Sequence, residues 1–193
     1  MTTPDIPKSK RRKSDNGTEY FPVSPVRRSG RHRQSETEIE SEKTMLLERL
    51  ILSKCEHGLK VHEFQEKGRG VVATKDFDAG DFVIEYSGDL LDIQTAKARE
   101  VEYANNPEIG CYMYWFKCGN KSYCVDATAE TSRLGRLLNH SRNGNCAAKS
   151  LVVNDIPRLI LIAKRDIKKG EELTYDYGDR SKTALEAHPW LKS

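Results

Sequence analysis

Leu134-Gly135-Arg136-Leu137-Leu138-Asn139-His140-Ser141 and Glu172-Leu173-Thr174-Tyr175-Asp176-Tyr177 carry polar clusters that an ordinary buried core would not choose. The first sets arginine, asparagine, histidine and serine against a leucine pair; the second places two phenols around a carboxylate. Thirty residues separate them, holding a turn-rich loop at Asn143-Gly144-Asn145 and an apolar run, Leu159-Ile160-Leu161-Ile162-Ala163. Such a run reads as a buried strand, and a buried strand can carry the second cluster back beside the first. Each cluster alone has a plainer reading, an Asn-His helix cap and a tyrosine-rich strand end. Together they point to one site.

The 193 residues suit one domain of ordinary size plus a tail. A hydrophobic content of 37% and a mean hydropathy of -0.70 are low for a fully globular chain, so part of it is expected to be disordered. Charge locates that part: residues 1–33 hold nine Lys or Arg against three Asp or Glu, whereas residues 55–193 hold twenty against twenty-one. Five cysteines, with no CxxC pair and no zinc-like spacing, suggest reduced thiols in an intracellular protein without a metal site. No apolar run approaches membrane-spanning length, so no membrane partner is expected.

Residues 1–34 are expected to form a disordered basic tail. Lys8-Ser9-Lys10-Arg11-Arg12-Lys13 fits a nuclear import signal, a polyanion contact or a merely solubilising run. Ser24-Pro25-Val26-Arg27 has the form favoured by proline-directed, cell-cycle kinases, and phosphate there would offset cationic charge. Thr18-Glu19-Tyr20-Phe21 resembles the aromatic end of sliding-clamp binding peptides, but lacks the upstream glutamine and has Gly17 where an aliphatic side chain belongs. Ser35 with Glu38 is a capping-box pattern, and Ile39, Leu46, Leu47, Leu50 and Ile51 follow at helical spacing, which predicts a docking helix within 35–54. Strands are predicted at 59–64, 70–74, 81–86, 111–117, 121–126 and 158–164, with a hairpin turn at Gly119-Asn120. A helix over 93–105, capped by Asp92, interrupts them.

Asn139-His140 and the Glu172–Tyr177 run resemble the two signature motifs of the SET-domain lysine methyltransferases. Lys67-Gly68-Arg69-Gly70-Val71 and Tyr86-Ser87-Gly88 are similar to that family's two earlier motifs, in the same order. The resemblance covers about residues 57–193. It implies a mostly β fold with short helices, built of small sheets and a threaded, pseudoknot-like C-terminal segment. The SET domain is then expected over 55–180, followed by a flanking helix within 181–193 that completes the site.

The resemblance also implies the chemistry. S-adenosylmethionine is the expected cosubstrate, with no metal, held by Lys67, Gly68, Arg69, Tyr112, Asn139 and His140, and with Trp190 over its adenine. The glycines allow close backbone approach, and the two cations can meet a carboxylate. Arg136 has two readings, a pairing with Asp176 or Glu172 that ties the crossing segments, or a direct cofactor contact. Lysine must lose its proton: with a pKa near 10.4 it is neutral only about one time in a thousand at pH 7.4. A sulfonium about 4 Å away at an effective dielectric near 20 disfavours the ammonium by roughly 4 kcal/mol, or about three pKa units. No dedicated general base is then needed. Tyr177 matches the catalytic tyrosine, Tyr175 the position that governs how many methyl groups are added, and Tyr86 a channel wall. A phenol at Tyr175 can hold a water where a second methyl would need space, which predicts monomethylation.

Gly110-Cys111-Tyr112-Met113-Tyr114, Glu186-Ala187-His188-Pro189-Trp190-Leu191 and the upstream Pro25-Val26-Arg27-Arg28-Ser29 resemble the histone H4 lysine-twenty monomethyltransferases of the nucleus. That likeness implies substrate contacts at Glu100, Tyr103, Cys111, Asp179 and His188. It also implies the histone H4 tail and the nucleosome as partners, with nucleosomal DNA met by the basic tail. Arg31-His32-Arg33-Gln34 is similar to the histone sequence around the modified lysine, as a pseudosubstrate would be, although an arginine-rich tail produces such a match by chance. The rival readings are methylation of non-histone lysines and a non-catalytic SET-like module that binds peptide. Retention of Asn139, His140, Tyr175 and Tyr177 argues against the second.

Overall fold

The computed structural model describes residues 35–106, 110 and 112–178. Within them the chain forms helix α1 (Glu36–Leu52), strands β1 (Leu59–Phe64), β2 (Gly68–Ala73), β3 (Phe82–Glu85) and β4 (Asp89–Leu91), and helix α2 (Ile93–Ala104). Strands β5 (Met113–Cys118) and β6 (Lys121–Asp126), a 3-10 turn at Gly135–Leu137, and strands β7 (Asn139–His140), β8 (Cys146–Val153), β9 (Ile156–Ala163) and β10 (Thr174–Tyr175) complete the series. The expected tail over 1–34 and the expected helix within 181–193 lie outside the described residues.

Three small sheets result: β1 with β2, a five-stranded sheet in the order β3-β9-β8-β10-β7, and β4-β6-β5. The order of the second carries the topology. β7 and β8 are consecutive in sequence, yet β10 lies between them, parallel to both, with Tyr175 opposite His140 on one side and Cys146 on the other. Residues 141–145, which connect β7 to β8, therefore cross β10, and this is the threading the fold class requires. Gly144 makes the crossing: a Cβ there would lie 2.6 Å from Thr174 O and 2.7 Å from Tyr175 Cα, so backbone meets backbone with no room for a side chain.

Apolar burial holds these pieces together. Val71, Phe77, Ile84, Leu138, Leu161, Ile167 and Leu173 are almost fully enclosed in one cluster that includes Tyr86 and Tyr175. Each large side chain removed from water there contributes roughly 1.5–3 kcal/mol. The strand leading into the tyrosine motif is tied to β2 by backbone bonds from Leu173 N to Val71 O at 2.8 Å and from Ala73 N to Glu171 O at 2.9 Å. Asp92 caps α2 by accepting the Thr95 N–H at 2.8 Å, as its position predicts.

Two expectations need correction. The helical apolar spacing in α1 does not form one docked face: Ile39 and Leu46 are exposed, and only Leu47 and Ile51 are buried, against Val153 and Ile160. The helix meets the sheet through its last two turns. The second correction is β8, which is absent from the predicted strands. Cys146–Val153 alternates weakly, with small or polar residues at several half-open positions, so its apolar signal is faint. Its partner β9 fixes it, through a turn in which Asn154 (φ 50°) and Asp155 (φ 62°) both adopt the left-handed region that a tight hairpin needs.

Candidate active site

The first glycine-rich motif enters β2 and meets the Asn139 motif directly. A Cβ at Gly70 would lie 2.6 Å from Asn139 Nδ2 and 2.7 Å from the Phe64 ring, so this glycine admits the amide to the strand. Lys67 Nζ pairs with Glu172 Oε2 at 3.0 Å, and Asn139 Nδ2 donates to Glu172 Oε1 at 2.9 Å. One carboxylate thus joins three motifs that are far apart in the chain. Asn145, which is buried, donates to Glu172 O and accepts from Thr174 N, fixing the same segment from the other side. Lys67, Glu172, Thr174 and Asn145 border an open polar recess of about 280 Å³, with Ser141 and Arg165 on its rim.

A second carboxylate organises the neighbouring cations. Arg69 donates to both oxygens of Glu130, at 2.8 and 3.3 Å, and Arg136 Nη1 donates to it at 2.9 Å. These donors lower the Glu130 carboxyl to about 2, and the Glu130 carboxylate in turn raises the Arg69 guanidinium. Arg136 is buried, donates also to the carbonyls of Ala127 and Thr128, and lies over the Tyr112 ring at 4.0 Å. Its carboxylate partner is therefore Glu130, not Asp176 or Glu172 as its sequence position suggested; the 3-10 turn aims it away from the crossing segment and toward β6. Its bonds therefore tie the 3-10 turn to the segment after β6 rather than holding the crossing segments together.

Beyond these lies an aromatic cluster. Tyr86 follows β3, Tyr114 lies on β5, Tyr175 on β10, and Tyr177 just past it. Ring centroids are 5.8 Å apart for Tyr86 and Tyr114, 6.3 Å for Tyr86 and Tyr175, 5.9 Å for Tyr114 and Tyr175, and 4.8 Å for Tyr175 and Tyr177. The Tyr86 hydroxyl donates to Tyr112 O at 2.9 Å, and the Tyr177 hydroxyl to Leu138 O at 2.8 Å. The Tyr177 N–H in turn donates to His140 Nδ1 at 3.2 Å, and the two rings lie 5.1 Å apart. A ring nitrogen that accepts carries no proton, so His140 presents its other nitrogen elsewhere. Burial, chiefly, pushes the Tyr175 and Tyr177 phenols well above their ordinary value, and Tyr114 is raised by burial and then by Asp176. These are neutral phenols in a low-dielectric cluster, suited to hydrogen bonding and unsuited to removing a proton at neutral pH.

The expected substrate-facing residues divide. Glu100 is exposed on α2, whereas the Tyr103 hydroxyl turns inward and donates to Asp126 Oδ2 at 2.7 Å. Cys111, Asp179, His188 and Trp190 lie outside the described residues. Among the described residues no group of three or more His, Cys, Asp or Glu side chains gathers as metal ligands would.

The structure adds Glu130, Glu172, Asn145 and Tyr114 to the residues read from sequence. Tyr114 left a signal, since it stands two residues from Tyr112. Glu172 stood in the quoted motif but was read only as a partner for Arg136. Nothing in the sequence distinguishes Glu130 from other surface acids.

Residues 68–178 match the SET domain family. The chain is 54% identical over 188 residues to N-lysine methyltransferase KMT5A-A of Xenopus laevis, an overlap of 96% of this chain and 55% of that protein. It is 51% identical over 174 residues to histone-lysine N-methyltransferase Set8 of Drosophila pseudoobscura pseudoobscura, covering 90% of this chain and 24% of the other. Of solved structures, the crystal structure of CpSET8 from Cryptosporidium superposes with a TM-score of 0.68 at 40% identity, over 78% of this chain and 69% of that one. The chain spans about half the length of the frog relative it matches.

Proposed function

The chain belongs to the SET-domain family, and from that premise we propose that it monomethylates a histone lysine, with lysine twenty of histone H4 on nucleosomes as the target. The observation that carries this reading is the tyrosine cluster: four phenols from separate parts of the chain converge, and the Tyr177 hydroxyl is oriented by Leu138 O. The names of the relatives favour a lysine as acceptor and a histone as its bearer.

The donor set fits S-adenosylmethionine: two cations, Lys67 and Arg69, for a carboxylate; the Asn139 amide and His140 for polar ends; and the Tyr112 ring for a flat heterocycle. When bound, this cosubstrate supplies a methyl group on a positively charged sulfur. Lys67 and Arg69 are each engaged by a carboxylate, Glu172 and Glu130, which hold them in place before any ligand arrives. Gly70 keeps Asn139 close to β2, so that the two motifs form one surface.

The lysine side is set by aromatic walls. Tyr86, Tyr114 and Tyr175 present hydrocarbon faces that admit a lysine stem and disfavour its charged head. Because burial keeps Tyr175 and Tyr177 protonated, the ammonium proton leaves to water rather than to a phenol. The Tyr177 hydroxyl donates to Leu138 O, and a phenol oxygen so oriented still has lone pairs with which to align an incoming amine. Tyr175, buried beside Tyr86, can hold a water where a second methyl group would need space.

The setting is nuclear chromatin, where the nine cations of residues 1–33 can meet DNA phosphates. Binding to nucleosomes should then weaken steeply between low and moderate salt, and removal of residues 1–34 should flatten that dependence. A sliding-clamp contact through Tyr20 and Phe21 is tested by pull-down with both changed to alanine. Methylation itself is tested with labelled S-adenosylmethionine and recombinant nucleosomes. Transfer to a histone lysine supports the reading, and transfer to none of the histones overturns it.

A further inference from the structure

We infer that Asp126 is a positioning residue for peptide binding, acting through Arg99 and Tyr103 to set the angle at which α2 faces the substrate. This rests on the methyltransferase reading above. Asp126 ends β6 and is only 4% exposed. Its Oδ2 accepts from Arg99 Nη1 at 2.9 Å and from the Tyr103 hydroxyl at 2.7 Å, while Oδ1 accepts the Thr128 N–H at 3.0 Å. Arg99 donates also to Asp89 on β4, at 2.8 Å. Two α2 side chains therefore converge on one carboxylate of the neighbouring sheet.

Apolar packing alone holds this helix weakly. Ala96 is its one fully buried residue among those described, and Val101 is 63% exposed. A helix held by so little apolar contact takes its orientation from directional bonds; Asp126 receives two of them, from Arg99 and Tyr103, beside the bond from Arg99 to Asp89. Removing a carboxylate from water is costly unless donors compensate. Burial pushes the Asp126 carboxyl up, but Arg99, Thr128 and Tyr103 more than offset this and hold it below the usual range.

The same segment reaches the other half of the site. Ala127 N donates to Tyr112 O at 3.0 Å, Tyr112 N donates to Thr128 Oγ1 at 3.2 Å, and the Tyr86 hydroxyl donates to Tyr112 O as well. Residues 126–128 thus register α2, with Glu100 and Tyr103, against the segment carrying Tyr112. Asp126 touches neither reacting group. Its part is to keep the peptide-facing helix in line with the tyrosine cluster.

The test is a comparison of Asp126→Asn and Arg99→Gln with the unaltered full chain, using a histone H4 tail peptide and S-adenosylmethionine. Asn keeps the size of the side chain and an acceptor for Thr128 but loses the charge that holds Arg99. The expected result is a peptide KM raised about tenfold for Asp126→Asn and about threefold to tenfold for Arg99→Gln, with kcat and cosubstrate affinity within about twofold. A purely structural role would instead lower Tm and leave the KM of the folded fraction unchanged. If Asp126→Asn does not fold, Arg99→Gln decides, because its side chain is partly exposed. A peptide KM within about twofold of the unaltered chain in the folded variants overturns the inference while the methyltransferase reading stands. An unaltered chain that methylates neither the peptide nor the histones of recombinant nucleosomes overturns that reading, and the inference with it; where only nucleosomes are methylated, the same KM comparison is made on them.

Discussion

Asn145 serves Thr174 as a strand partner would: its carboxamide oxygen accepts the Thr174 N–H at 3.0 Å, while its nitrogen donates to Glu172 O at 2.8 Å. Both backbone groups lie where the chain threads, beside the segment that crosses β10. Asn145→Ala removes both bonds and strands partly buried polar groups, so it should cost about 2–4 kcal/mol. Urea unfolding measures this directly; a change below about 0.5 kcal/mol would show that water replaces the amide without penalty.

Gly144 tests the threading from the steric side. A methyl group there meets the Thr174 carbonyl and the Tyr175 Cα, neither of which can rotate away. Gly144→Ala should destabilise by about 1–3 kcal/mol and displace β10 from β7. Loss of protection at the Tyr175 and Ser141 amides in hydrogen exchange is the expected signature, since Ser141 N donates to Tyr175 O at 3.0 Å.

Tyr177→Phe keeps the ring beside His140 and Tyr175 but removes the hydroxyl. Stability should fall by only about 1 kcal/mol, the net value of the bond to Leu138 O. kcat should fall on the order of a hundredfold if the phenol orients the amine. A variant with unaltered kcat would reduce Tyr177 to a strand-end cap.

Tyr175→Phe should change the product rather than abolish it. Removing the hydroxyl removes the group that can hold a water where a second methyl would need space, so dimethyl product should appear under multiple turnover. Mass spectrometry of the peptide reads this, and substantial trimethyl product from the unaltered chain would contradict the assigned role.

Glu130 gives a pH dependence with a definite sign. Its folded carboxyl lies at about 2, below the roughly 4.3 of an unfolded glutamate, because Arg69 and Arg136 favour the ionised form. The contribution is therefore complete above the unfolded value and is lost as pH falls from about 5 toward about 2. Denaturation midpoints for Glu130→Gln should decline less steeply over that range than those of the unaltered chain.

Much of this arrangement was legible in the sequence because its parts are local. The Asp92 cap, the Gly119-Asn120 hairpin and the apolar β9 all follow from short-range patterns, and Asn139, His140, Tyr175 and Tyr177 form recognisable runs. What escaped was long-range pairing. Glu130 meets Arg69 across sixty-one positions and Lys67 meets Glu172 across one hundred and five, and no spacing rule encodes either. β8 was hidden because its burial comes from β9 and β10 rather than from its own apolar content. Ile39 and Leu46 misled because helical periodicity shows that a face exists, not that anything covers it.

Transfer of one methyl group to a particular histone lysine can be read by incubating the chain with labelled S-adenosylmethionine and recombinant nucleosomes, beside nucleosomes carrying arginine in place of lysine twenty of histone H4. Mass spectrometry should find monomethyl-lysine on the first and no label on the second. Equal labelling of both, or label on no histone, would rule out lysine twenty of histone H4 as the acceptor.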